Sequence, residues 1–182
     1  AIAPSVGAPT SFVKFDSFVT APSAALDDEI EVGVWFWADN GVNEEAKQGI
    51  DLNSKIRRAP GEEVHGGSWR INTQEEYDAV PTQYDSTYGF AYKEMVISYQ
   101  LNQEQVDILT TPSANGINIL FGDSVNAGHD WANYPLTTYR YWVYNKTQNV
   151  YYTDMTGSEL LSSGGGSGTI NETVNVTLVD PA

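Results

Sequence analysis

The polar residues between Asp123 and Asp130 form the densest group in this sequence that could carry out a reaction. Together with Ser124 and His129, the two aspartates supply the residue types of an acyl-transfer triad. The serine does not lie in a Gly-x-Ser-x-Gly elbow, and His129 and Asp130 are chain neighbours whose side chains usually point apart. A triad depends on geometry rather than on closeness in sequence, so we interpret this segment as a solvated loop. The sequence therefore predicts no catalytic residue and no enzyme activity.

The same loop offers a calcium site as an alternative. Ca²⁺ is bound by carboxylate and carbonyl oxygens in flexible loops, and Asp123 and Asp130 are candidate ligands. No complete ligand spacing is visible, so we predict no required cofactor, with Ca²⁺ as the alternative. The chain has no cysteine, which excludes a disulfide framework, a thiolate zinc site and a cysteine nucleophile.

Two further patterns are less specific. The run His65-Gly66-Gly67-Ser68 is similar to a glycine-rich oxyanion loop, but such residues also form turns, and we interpret it as a turn. Paired carboxylates are the groups used in glycoside hydrolysis. With 24 acidic residues in the chain, however, many pairs are available and none is singled out.

Aromatic side chains provide a different kind of chemistry, which is stacking. The chain has 11 tyrosines and 5 tryptophans, and such rings stack on sugars and also anchor protein interfaces. The candidate ligand-binding residues are Trp35, Trp37, Trp131, Tyr139, Tyr141 and Trp142. They are the basis of a carbohydrate-binding hypothesis.

Asparagine sequons indicate candidate glycosylation sites. Asn145 is predicted in a turn, whereas Asn171 and Asn175 fall on the polar face of the last predicted strand. All three asparagines are therefore candidates for carrying a glycan.

The segment from Glu29 to Asn40 is the strand around which the predicted fold is organised. Side chains alternate along a strand, so Ile30, Val32, Val34 and Phe36 share an apolar face. Trp35 and Trp37 lie on the other face. We expect both indoles to be buried, by a second layer of the fold or by a neighbouring subunit, rather than exposed.

Other elements follow from the same reasoning. The predicted strands are 11–20, 68–72, 92–101, 116–122, 137–144, 150–154 and 169–179. Residues 41–90 show only weak periodicity. Thr73 with Glu76, and Asn102 with Gln105, match the capping-box rule and predict two short helices.

This spacing predicts an all-β fold of roughly seven to ten strands with one or two short helices. We expect an antiparallel β-sandwich, and a jelly roll is one arrangement that fits. Residues 1–182 are predicted to form a single domain, with an extended arm at 1–10 and a flexible Gly/Ser loop at 157–168.

Charge and composition restrict the partners. The net charge of -15 arises from only 9 basic residues against 24 acidic ones, and the remaining polar surface is uncharged. Neutralising a phosphate backbone requires clustered Lys and Arg, so nucleic acid is excluded as a partner. No apolar run of about 18 residues occurs, so we predict no membrane span.

Two non-catalytic functions fit these features. The first is a structural subunit of an extracellular, cell-surface or virion-surface assembly, such as a filament, coat or projecting domain. Its partners would be other copies of the chain, joined by exchange of the terminal strands at sheet edges. The alternative is a carbohydrate-binding module or lectin-like domain that binds glycans through exposed aromatic rings. The sequence begins at Ala1 rather than at methionine, so we expect a processed, secreted chain.

Overall fold

The computed structural model describes residues 11–12, 14–38, 49–58, 62–86, 89–111, 115–123, 136–156 and 173–176. The strands are β1 (Ser11–Phe12), β2 (Lys14–Val19), β3 (Glu29–Ala38), β4 (Ile50–Arg58), β5 (Glu62–Ile71), β6 (Gln83–Asp85), β7 (Phe90–Gln100), β8 (Gly116–Asp123), β9 (Leu136–Asn145), β10 (Val150–Thr156) and β11 (Thr173–Val176). The helices are α1 (Gln74–Ala79) and α2 (Gln103–Thr110). The chain is mostly β, as the sequence predicts.

The strands form two sheets. Sheet 1 has the order β1-β9-β3-β7-β6, with β10 also paired to β9, and sheet 2 has the order β11-β2-β8-β4-β5. Among the described strands, every pairing is antiparallel except that of β11 with β2, which is parallel. Three antiparallel pairs are nested in sequence, which means that each pair lies between the two strands of the next. The innermost is β4–β5, the middle one is β3–β7 and the outermost is β2–β8.

Both sheets contribute to one hydrophobic cluster. Ile30, Val32, Val34 and Phe36 of β3 are each 0 % exposed, which confirms the predicted core face of this strand. The Phe36 ring from sheet 1 lies 5.3 Å from the ring of Phe121 in sheet 2. The hydrophobic side chains of the two sheets therefore pack against each other.

The β4–β5 hairpin is longer than the sequence indicates. The periodicity predicts only a short strand at 68–72 in this region, but β4 alternates buried and half-buried residues along its length. Ser54 interrupts the apolar pattern and yet is fully buried. Its Oγ lies 2.8 Å from the Tyr99 hydroxyl and donates to the Asn118 carbonyl at 2.8 Å. Ser54 is thus a polar residue at a core position, where its partners are also buried. It interrupts the apolar alternation by which β4 would be recognised in the sequence.

The Gly66-Gly67 pair lies within β5, so the prediction of a turn at these residues is wrong. Ser54 pairs with Gly67 and Lys55 with His65, which makes Gly66 the extra residue of a β-bulge. A Cβ atom on Gly66 would come within 2.7 Å of Tyr99 Cζ, and one on Gly67 within 3.2 Å of Tyr99 Cδ1. Gly66 is needed because the ring of Tyr99, from the other sheet, lies against this strand, and a side chain at Gly67 would require that ring to shift slightly.

Both predicted helices and their N-cap residues are confirmed, and the full capping box forms at α2, whereas at α1 the Glu76 carboxylate accepts from the Asn72 amide rather than from that of Thr73. Thr73 Oγ1 accepts from the Glu76 amide at 3.1 Å. At α2, Asn102 Oδ1 accepts from the Gln105 amide at 2.9 Å, and Gln105 Oε1 accepts from the Asn102 amide at 2.8 Å. In the described part of the chain, no helix combines the length and the apolar character that a membrane crossing needs.

The described parts of both chain ends pair within the chain. β1 pairs with β9, and β11 pairs with β2. β11 covers Thr173–Val176 of the strand predicted at 169–179. The predicted arm at 1–10 and the predicted loop at 157–168 lie outside the described residues.

Candidate functional site

The outer face of sheet 1 carries an aromatic cluster, which we define as Trp35, Tyr92, Arg140 and Trp142. Trp35 lies on β3 between Glu94 of β7 and Arg140 of β9. Its ring stacks on Tyr92 with 4.1 Å between centroids, and Trp142 meets it edge-on at 6.5 Å. The indole N–H donates to Glu94 Oε2 at 2.9 Å. Neighbouring strands therefore satisfy both the ring and the polar atom of Trp35.

Arg140 holds the centre of this cluster. Its guanidinium carbon lies 4.2 Å from the Trp142 ring centre and 4.8 Å from that of Trp35. Nε and Nη2 donate to the two carboxylate oxygens of Asp154 at 2.7 and 2.8 Å. Burial by itself would lower the pKa of Arg140, but the hydrogen bonds and charge of Asp154 outweigh it and raise the pKa. The group is a fixed cation between two rings.

Trp142 crosses over β3 at Gly33, the residue opposite it in the sheet. A Cβ atom on Gly33 would lie 2.1 Å from Trp142 Cζ2, so only glycine leaves room for the indole. Trp142 is 4 % exposed, and its N–H donates to Glu31 Oε2 at 2.9 Å. The face of the Trp142 ring is therefore covered, whereas stacking on a sugar requires a ring whose face is open.

Among the described residues, the predicted ligand-binding side chains do not form one open surface. Tyr141 and Trp142 are 1 % and 4 % exposed and lie on opposite faces of β9, because neighbours in a strand alternate. Tyr141 is on the core side, and its hydroxyl donates to Met155 Sδ at 2.9 Å. Tyr139 is half-buried. Trp131 lies outside the described residues.

Trp35 and Trp37 are half-buried rather than fully buried. Trp35 is covered within the chain by the cluster described above. The Trp37 ring meets Tyr77 of α1 edge-on, with 6.5 Å between centroids. The expected burial by a second layer is thus supplied in part by residues of the same sheet and by a helix.

Asn145 is the centre of a buried polar network. It is 0 % exposed, and its Nδ2 donates to Asp28 Oδ2 and to the Tyr152 hydroxyl, each at 2.9 Å. Its Oδ1 accepts from the Gln148 amide at 2.9 Å. The folded chain does not present the Asn145 side chain to solvent, and a glycan on Nδ2 is incompatible with the packing. β11 contains Asn175, and Asn171 lies outside the described residues.

The network joins the β9–β10 turn to the loop before β3. Asp28 Oδ2 also accepts from the Ala25 amide at 2.9 Å and from Gln148 Nε2 at 2.7 Å. Burial raises the pKa of Tyr152, opposed by its hydrogen bond with Asn145. Sequence reasoning assigns Asn145 to a turn. The signal that could have revealed its burial is its even spacing from Tyr141 and Val143, which places it on the core face of the strand.

The proposed calcium ligands are not brought together among the described residues. Asp123 ends β8, where its backbone pairs with Ile50 of β4. Asp130, Ser124 and His129 lie outside the described residues. Across the described ranges, no group of three His, Cys, Asp or Glu side chains is arranged to hold a metal ion.

Lys93 is a buried cation on the core side of β7. It is 4 % exposed, and its Nζ donates to the Val80 carbonyl at 2.6 Å. The ammonium also lies 4.6 Å from the ring centre of Tyr77. These contacts attach α1 to β7, so we assign Lys93 a structural role.

Comparison with protein-family models, with curated proteins and with solved structures finds no match for this chain.

Proposed function

We propose that this chain is a non-catalytic structural subunit that assembles with other copies of itself on the outside of a cell or virion. Exchange of the terminal strands joins the neighbours in this proposal. The observation that carries it is the pairing of β11 with β2 at the edge of sheet 2. β11 is the last described strand, and among the described pairings it alone runs parallel to its partner.

The connection to β11 is long enough for exchange. Residues 157–172 separate β10 from β11 and include the run SSGGGSG. An extended chain of that length spans roughly 50 Å, which exceeds the width of a small sheet. The same β11–β2 hydrogen bonds form whether the strand comes from its own chain or from a neighbour, so exchange loses no pairing.

The nested strand pairs support a β-sandwich of jelly-roll type as the subunit fold. In such a fold an antiparallel ribbon of strands is wrapped so that its strands alternate between two sheets. β2 and β8 lie in sheet 2, β3 and β7 in sheet 1, and β4 with β5 in sheet 2 again. Folds of this class are suited to coats and projecting domains because their rigid sheets leave the loops and ends available for contacts.

The aromatic packing favours this proposal over carbohydrate binding. A lectin-like site needs rings whose faces are open, together with polar groups around them. Trp35 instead stacks on Tyr92 beneath the Arg140 guanidinium, and Trp142 is buried over Gly33. These rings stabilise the sheet rather than present a surface.

Disulfide trapping tests strand exchange directly. Asp16 and Thr173 are paired residues of β2 and β11, and the chain contains no cysteine of its own. Two single variants, Asp16→Cys with a size tag and Thr173→Cys without one, are mixed, unfolded, refolded together and oxidised. Strand exchange yields a disulfide between the tagged and untagged chains, which non-reducing electrophoresis detects.

The controls separate exchange from random collision. The double variant Asp16→Cys with Thr173→Cys reports pairing within one chain, and a mixture of Asp16→Cys with Asp78→Cys reports collision, because Asp78 is an exposed residue of α1. Mixed-chain disulfides no more frequent than in the collision control, with efficient closure in the double variant, would show that the end strands stay in their own chain.

A further inference from the structure

The edge strand at the other side of sheet 2 is β5, and its pairing is incomplete among the described residues. β5 runs from Glu62 to Ile71, and in the described part of the chain it pairs with β4 alone. An edge of ten residues is long for a sheet that does not pair further. Such a strand presents backbone N–H and C=O groups that can template another strand, and one of them, the His65 carbonyl, already accepts from Gln105 Nε2 of α2 at 3.0 Å.

Trp69 marks this edge as incompletely covered. It is opposite Leu52, which is 0 % exposed, so Trp69 lies on the core side of the sheet. It is nevertheless 36 % exposed, as one of the few large hydrophobic residues open to solvent in the described ranges. Val64 lies on the same side, opposite the buried Ile56. Both apolar side chains therefore lie along the open edge.

The residue pattern of β5 is self-complementary about Gly67. With the bulge residue Gly66 set aside, the three nearest residues on either side of Gly67 match in pairs, whereas the outermost pair, Glu62 with Ile71, does not. The matched pairs are His65 with Ser68, Val64 with Trp69, and Glu63 with Arg70. The first pair is polar, the second apolar and the third oppositely charged.

The bulge makes this symmetry geometrically consistent. Directly opposed residues of antiparallel strands point to the same face of a sheet. The β4 register places Glu63 and Arg70 on the outer face, opposite Arg57 and Asp51, and places the apolar pair on the core side. The two members of each matched pair are an odd number of residues apart along the strand. Without the bulge, the alternation of side chains would therefore place them on opposite faces of the sheet.

We propose that two copies of this chain pair β5 against β5, antiparallel, about a two-fold axis through Gly67. The pairing joins the two five-stranded sheets into one continuous sheet. Glu63 of each copy meets Arg70 of the other, and Val64 of each copy covers Trp69 of the other. Along an antiparallel strand, alternate residues direct their backbone N–H and C=O groups towards opposite edges. The two members of each matched pair direct these groups towards the same edge. Residues whose backbone groups point away from β4 are therefore opposed to residues of the same kind in the second copy.

The charges of the edge fit a second copy better than another partner. Lys55 Nζ and Arg57 Nε lie 3.9 and 3.7 Å from the oxygens of Glu63, so these ion pairs are loose and leave the carboxylate able to accept from a further cation. Arg70 is exposed and is attracted to Asp51. A chain of net charge -15 has few cations to offer, and this edge places one opposite an acid of the second copy.

This interface lies at the opposite edge of sheet 2 from the β11–β2 pairing, so it does not depend on strand exchange. Together the two edges would allow each copy to bind two neighbours, which is the requirement for a growing assembly. Either interface can fail while the other remains.

A charge-reversal mixture tests the two-fold pairing. Glu63→Arg sets two cations against each other at both ends of its own dimer interface, and Arg70→Glu sets two acids against each other there. Each variant alone is expected to raise the dimer dissociation constant at least about tenfold, measured by sedimentation velocity. In an equimolar mixture the introduced arginine meets the introduced glutamate, and the original Arg70 of one chain meets the original Glu63 of the other. Both ion pairs are restored, so the mixture is expected to form a heterodimer.

The mixture distinguishes this interface from any other. Asp78→Arg is the matched control, since it reverses one exposed acid of α1, outside β5, and it should dimerise like the unaltered chain. Circular dichroism establishes that each variant is folded. A dimer that tolerates both single reversals would overturn the proposal, as would a mixture that associates no better than either variant alone, or an unaltered chain that stays monomeric.

Discussion

Replacing Gly33 with alanine is the sharpest test of the packing on sheet 1. The new methyl group would overlap Trp142 Cζ2, Cε2 and Cη2, at 2.1, 2.4 and 2.5 Å, so the indole must leave its position. Gly33 is not among the residues with positive φ, so alanine meets no backbone strain there. The cost therefore measures the collision with the ring.

The magnitude follows from two losses. Overpacking in a filled site costs about 1–3 kcal/mol. Displacing the indole also separates its N–H from Glu31, a charge-assisted hydrogen bond worth about 1.5–3 kcal/mol. Alanine regains roughly 0.5–1 kcal/mol in a strand relative to glycine. We expect a loss of about 3 kcal/mol in the free energy of unfolding.

The assay is urea denaturation followed by far-UV circular dichroism, run as a double-mutant cycle with Trp142→Leu. Leucine lacks the ring atoms that overlap, so Gly33→Ala should cost about nothing in that background. The coupling between the two sites should then be about 3 kcal/mol. An equal cost in both backgrounds, or a Gly33→Ala variant within about 0.5 kcal/mol of the unaltered chain, would refute the reasoning.

Further predictions concern the buried polar groups. Asn145→Ala should lower the free energy of unfolding by about 2–4 kcal/mol in urea denaturation, because Asp28 and Tyr152 lose a buried donor; a change below about 0.5 kcal/mol would contradict the network. Peptide mass spectrometry of chain produced in glycosylating cells should find Asn145 unmodified, and a glycan on folded chain would contradict its burial. Burial raises the pKa of Tyr99 above 10.0, so the stability it contributes below pH 10 is lost as the pH rises beyond that value. Tyr99→Phe should therefore show a shallower loss of stability above pH 10, and equal slopes for the two proteins would exclude this assignment.

The periodic parts of the fold could be predicted from the sequence. β3 alternates apolar and polar residues along most of its length, and Asn102 with Gln105 forms a local capping box that needs no tertiary contact. Both features depend on neighbours in sequence, so a single sequence contains the information. The same holds for the mostly-β composition of the structure.

The failures have a common physical cause, which is a partner distant in the chain. Ser54 belongs to the core because Tyr99 bonds to it, and Gly66 is a strand residue because the Tyr99 ring lies over it. Asn145 is buried because Asp28 lies against it. None of these partners is visible from local periodicity, which reads a polar residue as exposed and a glycine pair as a turn.

The edge of β5 is hidden from sequence reasoning for a different reason. Its self-complementary pattern is present in the printed sequence, but the bulge at Gly66 shifts the alternation midway, so the two halves look unrelated. Only the register against β4 reveals that Glu63 and Arg70 share a face. Trp35 and Trp142 show the converse case, because they were candidates for a recognition surface and the structure packs both rings against residues of sheet 1.

Self-assembly is the central claim, and sedimentation velocity of the unaltered full chain over a concentration series tests it most directly. Subunits that associate through the edges of sheet 2 should sediment with a mass that rises from 20.0 kDa to about twice that value and beyond as concentration increases. A mass that stays at 20.0 kDa up to about 1 mM, a concentration at which even weak complexes form, would contradict the account.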